Sequence, residues 1–495
     1  MSNDPGGIDR RRALRGDILL ALGILLLAGP LVQEWFAQNA SRYALSAAVV
    51  EYRSLELDAY ARVLSIDRAT FRGHTYSDKA PYQALLAAPF LEAYVRAGGK
   101  AYPVAVDRTD AVDRLVESTA RGLWWVTLWS STIPAMALAI VIRRTVAQIY
   151  PERATVVAVA MAVGTLVLPF SSILTGHVMA ALWVAGAWHV LRGSSLSTGA
   201  AVGAGVLLGA AIGTDYPTAL IAMAALVLTV FAHGLRRGAW LSVGTVLGTL
   251  PLLLYNWLVF ANPFEVSYQG HLPNFQGDGA LGVYNLTPPK LHEVTRALVG
   301  SKGLLALTPV MLLAFAGCWY AISRVSAIRR DAVFALVGFV GVLAVSTGID
   351  GIGGDSPGPR YLIPVLPLFA LPLAEAWRRL PFLCTASAVI GAGWMLLAAA
   401  TVPLASRPRN WLQAAADLDF TANVITGQSH TWVLLIPTAG GLAVLLYLCS
   451  GAAHLAGPQV GTQRIGSCRS MARKSCTFSR QAGTGLTSSG RSEAR

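Results

Sequence analysis

Charge is what this sequence has least of. Only 13% of its 495 residues are charged, against about 25% in a typical soluble domain, and 54% are hydrophobic. The hydrophobic residues form long runs along most of the chain, and runs of this kind cross bilayers. This composition excludes an ordinary soluble protein and predicts an all-α, polytopic membrane protein.

Charged residues are nearly missing from the predicted membrane spans, where Glu375 near an inner end is the exception. Secondary transporters usually couple ions through charged groups or broken helices inside the membrane. The chain also has no Walker-type phosphate loop and no His-x-x-x-His pair, which disfavours a nucleotide-driven pump and a soluble-type hydrolase. These absences favour chemistry at a membrane face over transport.

Cysteine is scarce as well. Three of the five cysteines fall in predicted spans and two in the C-terminal tail, so none falls in a predicted outer loop. We therefore expect no structural disulfide on the outer side. The five are Cys318, Cys384, Cys449, Cys468 and Cys476.

The net charge of +13 does not indicate nucleic-acid binding. Much of the excess sits in short arginine clusters between apolar runs and in the tail, as in cytoplasmic loops that face anionic lipid. The clusters alternate with loops that are poor in arginine, which predicts a multi-pass plasma-membrane protein with both termini in the cytoplasm. The predicted inner loops carry Arg143, Arg144, Arg153, Arg192, Arg236, Arg237, Arg324, Arg329, Arg330, Arg378 and Arg379.

About twelve transmembrane helices are predicted in one domain, residues 1–455, followed by a disordered basic tail, residues 456–495. The first outer loop, residues 35–121, has two stretches with helical periodicity. We expect these to be helices along the membrane interface, with ordinary packed helices as the alternative. The predicted spans lie near 18–32, 122–142, 154–172, 178–191, 198–213, 216–233, 239–260, 303–323, 332–348, 361–377, 381–403 and 431–449.

The richest polar stretch of the chain runs from His74 to Gln83 in this first outer loop. A proline biases the residue before it away from helix and itself opens helices well, so Asp78 and Lys79 should lie on extended chain just before a helix that Pro81 opens. A lysine beside a helix N-terminus suits a phosphate ligand. The alternative is a solvated surface ion pair.

A second candidate is Arg360, which begins an apolar run on the outer side, against the general bias of the basic residues. Its planar guanidinium suits phosphate or pyrophosphate, although an arginine at this depth can also anchor the protein to lipid headgroups. His177 and Asp215 also lie at predicted outer helix ends, where satisfied polar groups are the favoured interpretation over function.

Carboxylates in the outer loops provide candidates for a base and for a cation site. Asp58 and Asp67 precede Lys79 in the same loop, and either could take a proton from an acceptor hydroxyl. Asp417 and Asp419 could hold a divalent cation, with two solvated acids as the favoured alternative. No set of metal ligands is specified.

The layout and the motif resemble those of the GT-C glycosyltransferases over roughly residues 15–450. The layout is a basic N-terminus, one span, a long outer loop and then many spans. The motif is Tyr-Ser-Asp-Lys-Ala-Pro, residues 76–81, accompanied by Asn-Pro-Phe at 262–264 and Gly-Pro-Arg-Tyr at 358–361. Members of this class take sugars from polyprenyl-phosphate donors, often with a divalent cation.

The resemblance places Asp78 and Lys79 beside the donor phosphate. The general base of the class is an acidic residue early in the first loop, but residues 38–43 of this chain, Gln-Asn-Ala-Ser-Arg-Tyr, contain no carboxylate. Either Asp58 or Asp67 supplies the base or the chemistry departs from the standard. A second departure is Tyr82, where relatives usually have glycine. The expected catalytic residues are Asp67, Asp58 and Asp78, and the expected substrate contacts are Lys79, Arg360, Tyr76, His74 and Tyr361.

The sequence thus predicts a membrane glycosyltransferase that moves a sugar from a polyprenyl-phosphate donor to an extracytoplasmic glycan, lipid or protein acceptor. Two alternatives stay open: a non-catalytic flippase or carrier for lipid-linked sugars, and a degenerate relative that only binds lipid. The missing first-loop acid keeps the last of these in view.

Overall fold

The computed structural model of the protein describes residues 5–31, 37–61, 64, 67–101, 121–193, 195–267, 288–324, 326–349, 352–354, 356–401, 408–417 and 431–455. These residues are predominantly helical, which confirms the all-α prediction. The predicted tail, residues 456–495, lies outside the described part of the chain, as does Asp419.

Helices make up most of the described part of the chain. The first half contains α1 (Pro5–Ala28), α2 (Ala37–Tyr52), α3 (Tyr82–Arg96), α4 (Arg121–Ala147), α5 (Ala154–Val163), α6 (Val167–Ser171), α7 (His177–Leu191), α8 (Thr198–Thr214), α9 (Thr218–His233) and α10 (Leu235–Phe260). The second half contains α11 (Leu291–Val299), α12 (Leu304–Leu307), α13 (Val310–Arg324), α14 (Arg329–Ile349), α15 (Ala370–Arg379), α16 (Pro381–Ala400), α17 (Pro408–Ala416) and α18 (Thr431–Leu455).

Each predicted span falls on one of these helices or on a consecutive pair, except 361–377, which falls on a 3-10 helix (Arg360–Phe369) and α15. This agreement confirms the polytopic membrane architecture. Among the described residues, α4, α10, α14 and α16 are individually long and apolar enough to cross a bilayer. Residues 291–307 and 310–324 form a fifth candidate that is bent by 96°. Several of the other helices are apolar but shorter. The count of twelve spans and the orientation of the termini remain predictions.

Helices α8 and α10 pack with their backbones in contact. Glycines spaced four residues apart face each other across the pair, Gly205 and Gly209 on α8 and Gly244 and Gly248 on α10. A methyl group on Gly244 or Gly248 would overlap backbone atoms of α8. Small residues at this spacing are a common means of close helix association in membranes, where burial alone does not drive helices together.

A ten-residue 3-10 helix, Arg360–Phe369, precedes α15 and is buried almost throughout. Pro364 and Pro367 lie inside it. A proline lacks the N–H that an α-helical turn needs and clashes with the preceding turn, so two of them three residues apart disfavour regular α-helix here. The segment places Arg360 at its start, deep in the end of the helix bundle that carries the first outer loop.

The first outer loop has a hydrophobic core of its own. Helices α2 and α3 pack together against the end of α10, and the core includes Tyr43, Leu91 and Phe260. Because most of the side chains of α2 are buried, it is a packed helix, which decides between the two interpretations left open for this stretch.

A two-stranded antiparallel hairpin, which was not predicted, completes this loop. Strand β1 (Arg68–Phe71) pairs with β2 (His74–Ser77), with Arg68 opposite Ser77 and Phe71 opposite His74. The two-residue turn has φ values of 50° at Arg72 and 87° at Gly73, the left-handed pair typical of a type I′ hairpin. Each strand has only four residues, which is too few for an alternation of apolar and polar residues to be recognised in the sequence.

Candidate functional site

The segment after β2 places the charged side chains of Asp78 and Lys79 in the protein interior. Residues 78–80 lie outside any helix or strand, Pro81 is the N-cap residue, and α3 begins at Tyr82, where the proline pattern predicts a helix start. Lys79 Nζ lies 2.6 Å from Asp78 Oδ2 and 3.1 Å from Asp67 Oδ2. All three residues are buried, with 1% of Asp78, 8% of Lys79 and 6% of Asp67 exposed. This burial excludes the solvated ion pair.

Asp78 is held on every side. Its second carboxylate oxygen accepts a hydrogen bond from Ser41 Oγ at 3.2 Å, and its backbone carbonyl accepts one from Ser267 Oγ at 2.7 Å. Burial raises the pKa of Asp78 above its ordinary value, while the Lys79 ammonium opposes this shift and the Asp67 charge adds to it. Asp78 is therefore a fixed member of an ion cluster and a poor candidate for a mobile base.

Arg42, on the buried face of α2, extends this cluster toward the second candidate. Its guanidinium donates to the Gln38 carbonyl at 3.2 Å and acts electrostatically on Asp78. The side-chain amide of Gln38 is best oriented with its oxygen toward Arg360, because this oxygen then accepts hydrogen bonds from the guanidinium. One turn of α2 therefore brings both arginines to the same polar cluster, in the stretch where the sequence lacks its expected carboxylate.

Arg360 is enclosed by protein and does not extend to the surface. Its guanidinium carbon lies 5.2 Å from the centre of the Tyr361 ring. Gly353, with φ of +87°, packs so closely that an added Cβ would lie 2.8 Å from Arg360 Nε. Only 8% of Arg360 is exposed, which favours a site residue over a headgroup anchor.

His177 and Asp215 form a buried pair beside Arg360. His177 is the first residue of α7, Asp215 follows α8, and His177 Nδ1 lies 2.7 Å from Asp215 Oδ2. The Tyr361 ring meets the imidazole edge-on at 5.7 Å. Each residue was expected to be a satisfied group at its own helix end, and the sequence alone did not pair them.

The remaining candidates lie together at the exposed edge of the hairpin. His74 Nδ1 lies 2.7 Å from Asp58 Oδ2, the Thr75 backbone N–H donates to Asp58 Oδ1 at 2.6 Å, and Glu56 lies 3.7 Å from His74. Slight burial raises the pKa of Asp58, but the hydrogen bonds from His74 and Thr75 outweigh it and leave that pKa below its usual value. The hydrogen bond with Asp58, supported by Glu56, raises the pKa of His74.

Glu56, Asp58 and His74 are also the one group of three potential metal ligands found among the described residues. Their ligand atoms lie within 4.8 Å of one another, and all three residues are exposed. Two of the three already bond each other, so a cation would have to replace that contact. In the other candidate pair, Asp417 bonds Gln413, one turn earlier on α17.

The structure therefore separates the expected site residues into two groups. Asp67, Asp78 and Lys79 share the buried cluster, which Arg42 joins to Arg360 and Tyr361, while Asp58 and His74 lie at the exposed hairpin edge. Tyr76 stands between them, buried, with a hydrogen bond to Glu56. Arg42 was not among the expected site residues. A single arginine among the alanines of α2 could have indicated a buried functional charge.

Tyr82 ties the loop to the helix bundle. Its hydroxyl donates to the Gly248 carbonyl at 2.7 Å and accepts from the Leu252 N–H at 3.2 Å. These two groups would bond each other in a regular helix, so the phenol is inserted into α10 next to Pro251. A glycine has no side chain to make these hydrogen bonds. The tyrosine at position 82, where relatives usually have glycine, therefore has a structural role.

A Gly-x-Ser-x-Gly spacing occurs at Ser356, between Gly354 and Gly358, in the segment before the 3-10 helix. In hydrolases this spacing presents a nucleophilic serine on a strand-to-helix turn. Here the buried Ser356 hydroxyl donates to the Gly358 carbonyl at 2.6 Å and closes a turn. The serine is therefore a structural residue.

No protein-family model matches the sequence, and no curated protein sequence matches it. Among solved structures, ArnT from Cupriavidus metallidurans, bound to undecaprenyl phosphate and in the apo state, is similar with 14% identity and a TM-score of 0.49, over 88% of this chain and 76% of that one. The Archaeoglobus fulgidus oligosaccharyltransferase AglB, in complex with an inhibitory peptide and a dolichol-phosphate, is similar with 12% identity and a TM-score of 0.44, over 90% of this chain and 56% of that one. Both are GT-C glycosyltransferases.

Proposed function

We propose that this protein is a membrane glycosyltransferase that transfers a sugar from a polyprenyl-phosphate donor to an acceptor hydroxyl at the predicted outer face. The observation that carries the proposal is the buried polar cluster beneath the first loop. Three cationic side chains, Lys79, Arg42 and Arg360, are buried together in a chain that has little charge elsewhere. Buried charges are costly, and such groups concentrate at functional sites.

Arginine chemistry supports an anionic ligand of the phosphate type. A guanidinium offers several N–H donors in a planar fork that fits two phosphate oxygens. Arg42 and Arg360 both approach His177 closely enough to act on it electrostatically, so their positive charges meet in one place. Lys79 donates a hydrogen bond to Asp78 and forms an ion pair with Asp67, and an ammonium has three N–H donors in all, which leaves capacity for a ligand.

In this proposal the donor phosphate binds between Arg360, Arg42 and Lys79, with Tyr361 against the Arg360 guanidinium and Asp78 holding Lys79 in place. Tyr76 and His74 face the acceptor from the hairpin. A base removes the acceptor proton, and the acceptor oxygen attacks the anomeric carbon in a single displacement with inversion. Asp67 and Asp58 are the carboxylates within the loop that could act as the base.

A divalent cation is an additional option at the hairpin. Glu56, Asp58 and His74 offer two carboxylates and an imidazole within ligand range of one another, a donor set that fits a divalent ion. When bound, the cation would supply positive charge at the exposed edge of the hairpin. This chain's own residues hold the donor and accept the proton in every step above.

The proposal is tested with membranes that contain the protein and a panel of radiolabelled polyprenyl-phosphate monosaccharides. Wild type should transfer label to an endogenous or added acceptor. Arg360→Ala should lose this activity, while Arg324→Ala, on the predicted inner side, should keep it. Donor that stays bound but unconsumed in wild type would support the carrier or lipid-binding alternatives and overturn the enzyme.

A further inference from the structure

The buried pair of His177 and Asp215 has the arrangement of a base and its orienting group. Asp215 lies in the turn between α8 and α9, where its backbone N–H bonds Ala211 and its carbonyl accepts from Thr218. These contacts fix the carboxylate, which reaches His177 Nδ1 at 2.7 Å. Only 3% of His177 and 7% of Asp215 are exposed.

The contact with Asp215 determines which ring nitrogen of His177 carries the proton. A carboxylate accepts hydrogen bonds, so Nδ1 carries the proton that it donates to Asp215, and the lone pair of the neutral ring is on Nε2. Nε2 is buried and has no hydrogen-bond partner among the residues that the structure describes. Leaving a buried polar atom in this state is unfavourable, which is consistent with a ligand that supplies its partner.

The surroundings of the ring match the predicted reaction site. Arg360 and Tyr361 approach from the 3-10 helix, Arg42 approaches from α2, and Asp215 approaches from the turn after α8. Burial and, to a lesser extent, the two guanidinium charges disfavour a positive charge on the ring, so the neutral imidazole is favoured before the reaction. A proton gained during the reaction is balanced by Asp215.

The loop carboxylates are less suited to this task. Asp67 bonds the Lys79 ammonium, and Asp58 is held by His74 and by the backbone of Thr75. Asp58 is also exposed at the hairpin edge with a lowered pKa, which makes it a weak base. The stretch at 38–43, which has no carboxylate, places Arg42 next to this imidazole instead.

We propose that His177 Nε2 is the general base of the transfer and that Asp215 is its positioning residue, an inference that rests on the proposed function. The acceptor O–H gives its proton to Nε2 as its oxygen forms a bond to the anomeric carbon. The bond from that carbon to the phosphate oxygen breaks, and the polyprenyl phosphate leaves with the electron pair. The imidazolium then returns the proton to water. Because Nε2 is closed from bulk water in this structure, the acceptor reaches it only when the polar cluster opens.

The test compares His177→Gln and Asp215→Asn with wild type, and uses His189→Gln as the matched control. His189 lies on the same helix and bonds Thr145 on α4, away from the cluster. Donor binding and the single-turnover transfer rate at saturating donor are measured separately across pH. His177→Gln should lower the rate at least about 100-fold with donor affinity unchanged, the size expected for loss of a general base. The control should behave as wild type.

The pH profile provides a readout that a structural role would not move. Wild-type transfer should fall at acidic pH as the imidazole gains a proton, and His177→Gln should lack this decline. Asp215→Asn removes the charge that stabilises the imidazolium, so its decline should shift to lower pH along with a reduced rate. Added imidazole should restore part of the activity of His177→Ala, which keeps the test informative if the glutamine variant folds poorly.

The possible outcomes separate this inference from the proposed function. If wild type transfers no sugar, the proposed function fails and the base role fails with it. If wild type and His177→Gln transfer at equal rates, the enzyme stands and His177 is not the base. A weakened donor affinity with an unchanged saturated rate would make His177 a phosphate contact and would also overturn the base role.

Discussion

Removing the charge of Lys79 should destabilise the protein as well as inactivate it. The ammonium forms ion pairs with two buried carboxylates, at 2.6 Å from Asp78 and 3.1 Å from Asp67. Breaking a buried ion pair by deleting one member typically costs about 3–5 kcal/mol, because the remaining charge stays desolvated. Lys79→Met keeps the chain length without the charge, so a loss in that range is expected. Lys100→Met, at an exposed site beyond α3, is the matched control.

A double-mutant cycle isolates this interaction. Combined with Asp67→Asn, Lys79→Met should recover part of the lost stability, with a coupling energy of about 1–3 kcal/mol. Unfolding in detergent is followed for the single variants, the double variant and the control. Equal stability of Lys79→Met and wild type would refute the conclusion that these charges are buried and mutually dependent.

The same variant carries a pH signature. Burial already raises the pKa of Asp78 in the native protein, with the Lys79 charge acting against that shift. A carboxyl with a native pKa above its unfolded value stabilises the fold at acidic pH, and this contribution is lost as pH rises through the native pKa. Without Lys79 the shift grows, so the stability deficit of Lys79→Met should be larger at neutral than at mildly acidic pH.

Three further changes test separate parts of the site. Arg360→Lys should raise KM for the donor about tenfold or more, because an ammonium cannot replace a guanidinium that binds two phosphate oxygens. Tyr82→Phe should lower stability by about 1–3 kcal/mol, since the groups that its hydroxyl joins in α10 lose their partner, as thermal unfolding would show. Asp58→Asn should lower the pKa of His74, measured by NMR titration, because the hydrogen bond to the carboxylate is the main cause of its increase.

Much of the helical architecture was predictable because it follows from hydropathy. A membrane-spanning helix satisfies its own backbone hydrogen bonds, so long apolar runs admit few other structures, and each predicted span coincides with a helix or helix pair. The proline after Ala80 likewise predicted the start of α3. Signals of this kind involve residues close together in the sequence, so they can be read from a single sequence.

The first loop was harder to predict because its structure depends on contacts between distant residues. The hairpin has four residues per strand, and its type I′ turn at Arg72 and Gly73 lacks the asparagine or aspartate that usually announces one. The burial of α2 comes from packing against α3 and the end of α10. Neither the strand pairing nor the packing of α2 produces a hydrophobic periodicity of its own in the sequence. An interfacial helix and a packed helix therefore could not be distinguished.

The candidate site shows the same division. Asp78 and Lys79 were identified from adjacent residues, and the structure brings Asp67 to them, but it leaves Asp58 and His74 at another edge. The pairing of His177 with Asp215 joins the start of α7 to the turn after α8, 38 positions away. Such pairs arise only when helices pack, and each residue alone looks like an ordinary polar group at a helix end.

The absence of a first-loop acid therefore need not mean the absence of a base. A carboxylate in α2 next to Arg42 would be drawn into an ion pair with that arginine or with Arg360, as Asp67 is with Lys79. An imidazole can take a proton while remaining neutral beforehand, so it coexists with two guanidinium groups at less electrostatic cost than a third cation would. Asp215 then supplies the negative charge only on the far side of the ring, where it steadies the imidazolium without occupying the place of the phosphate.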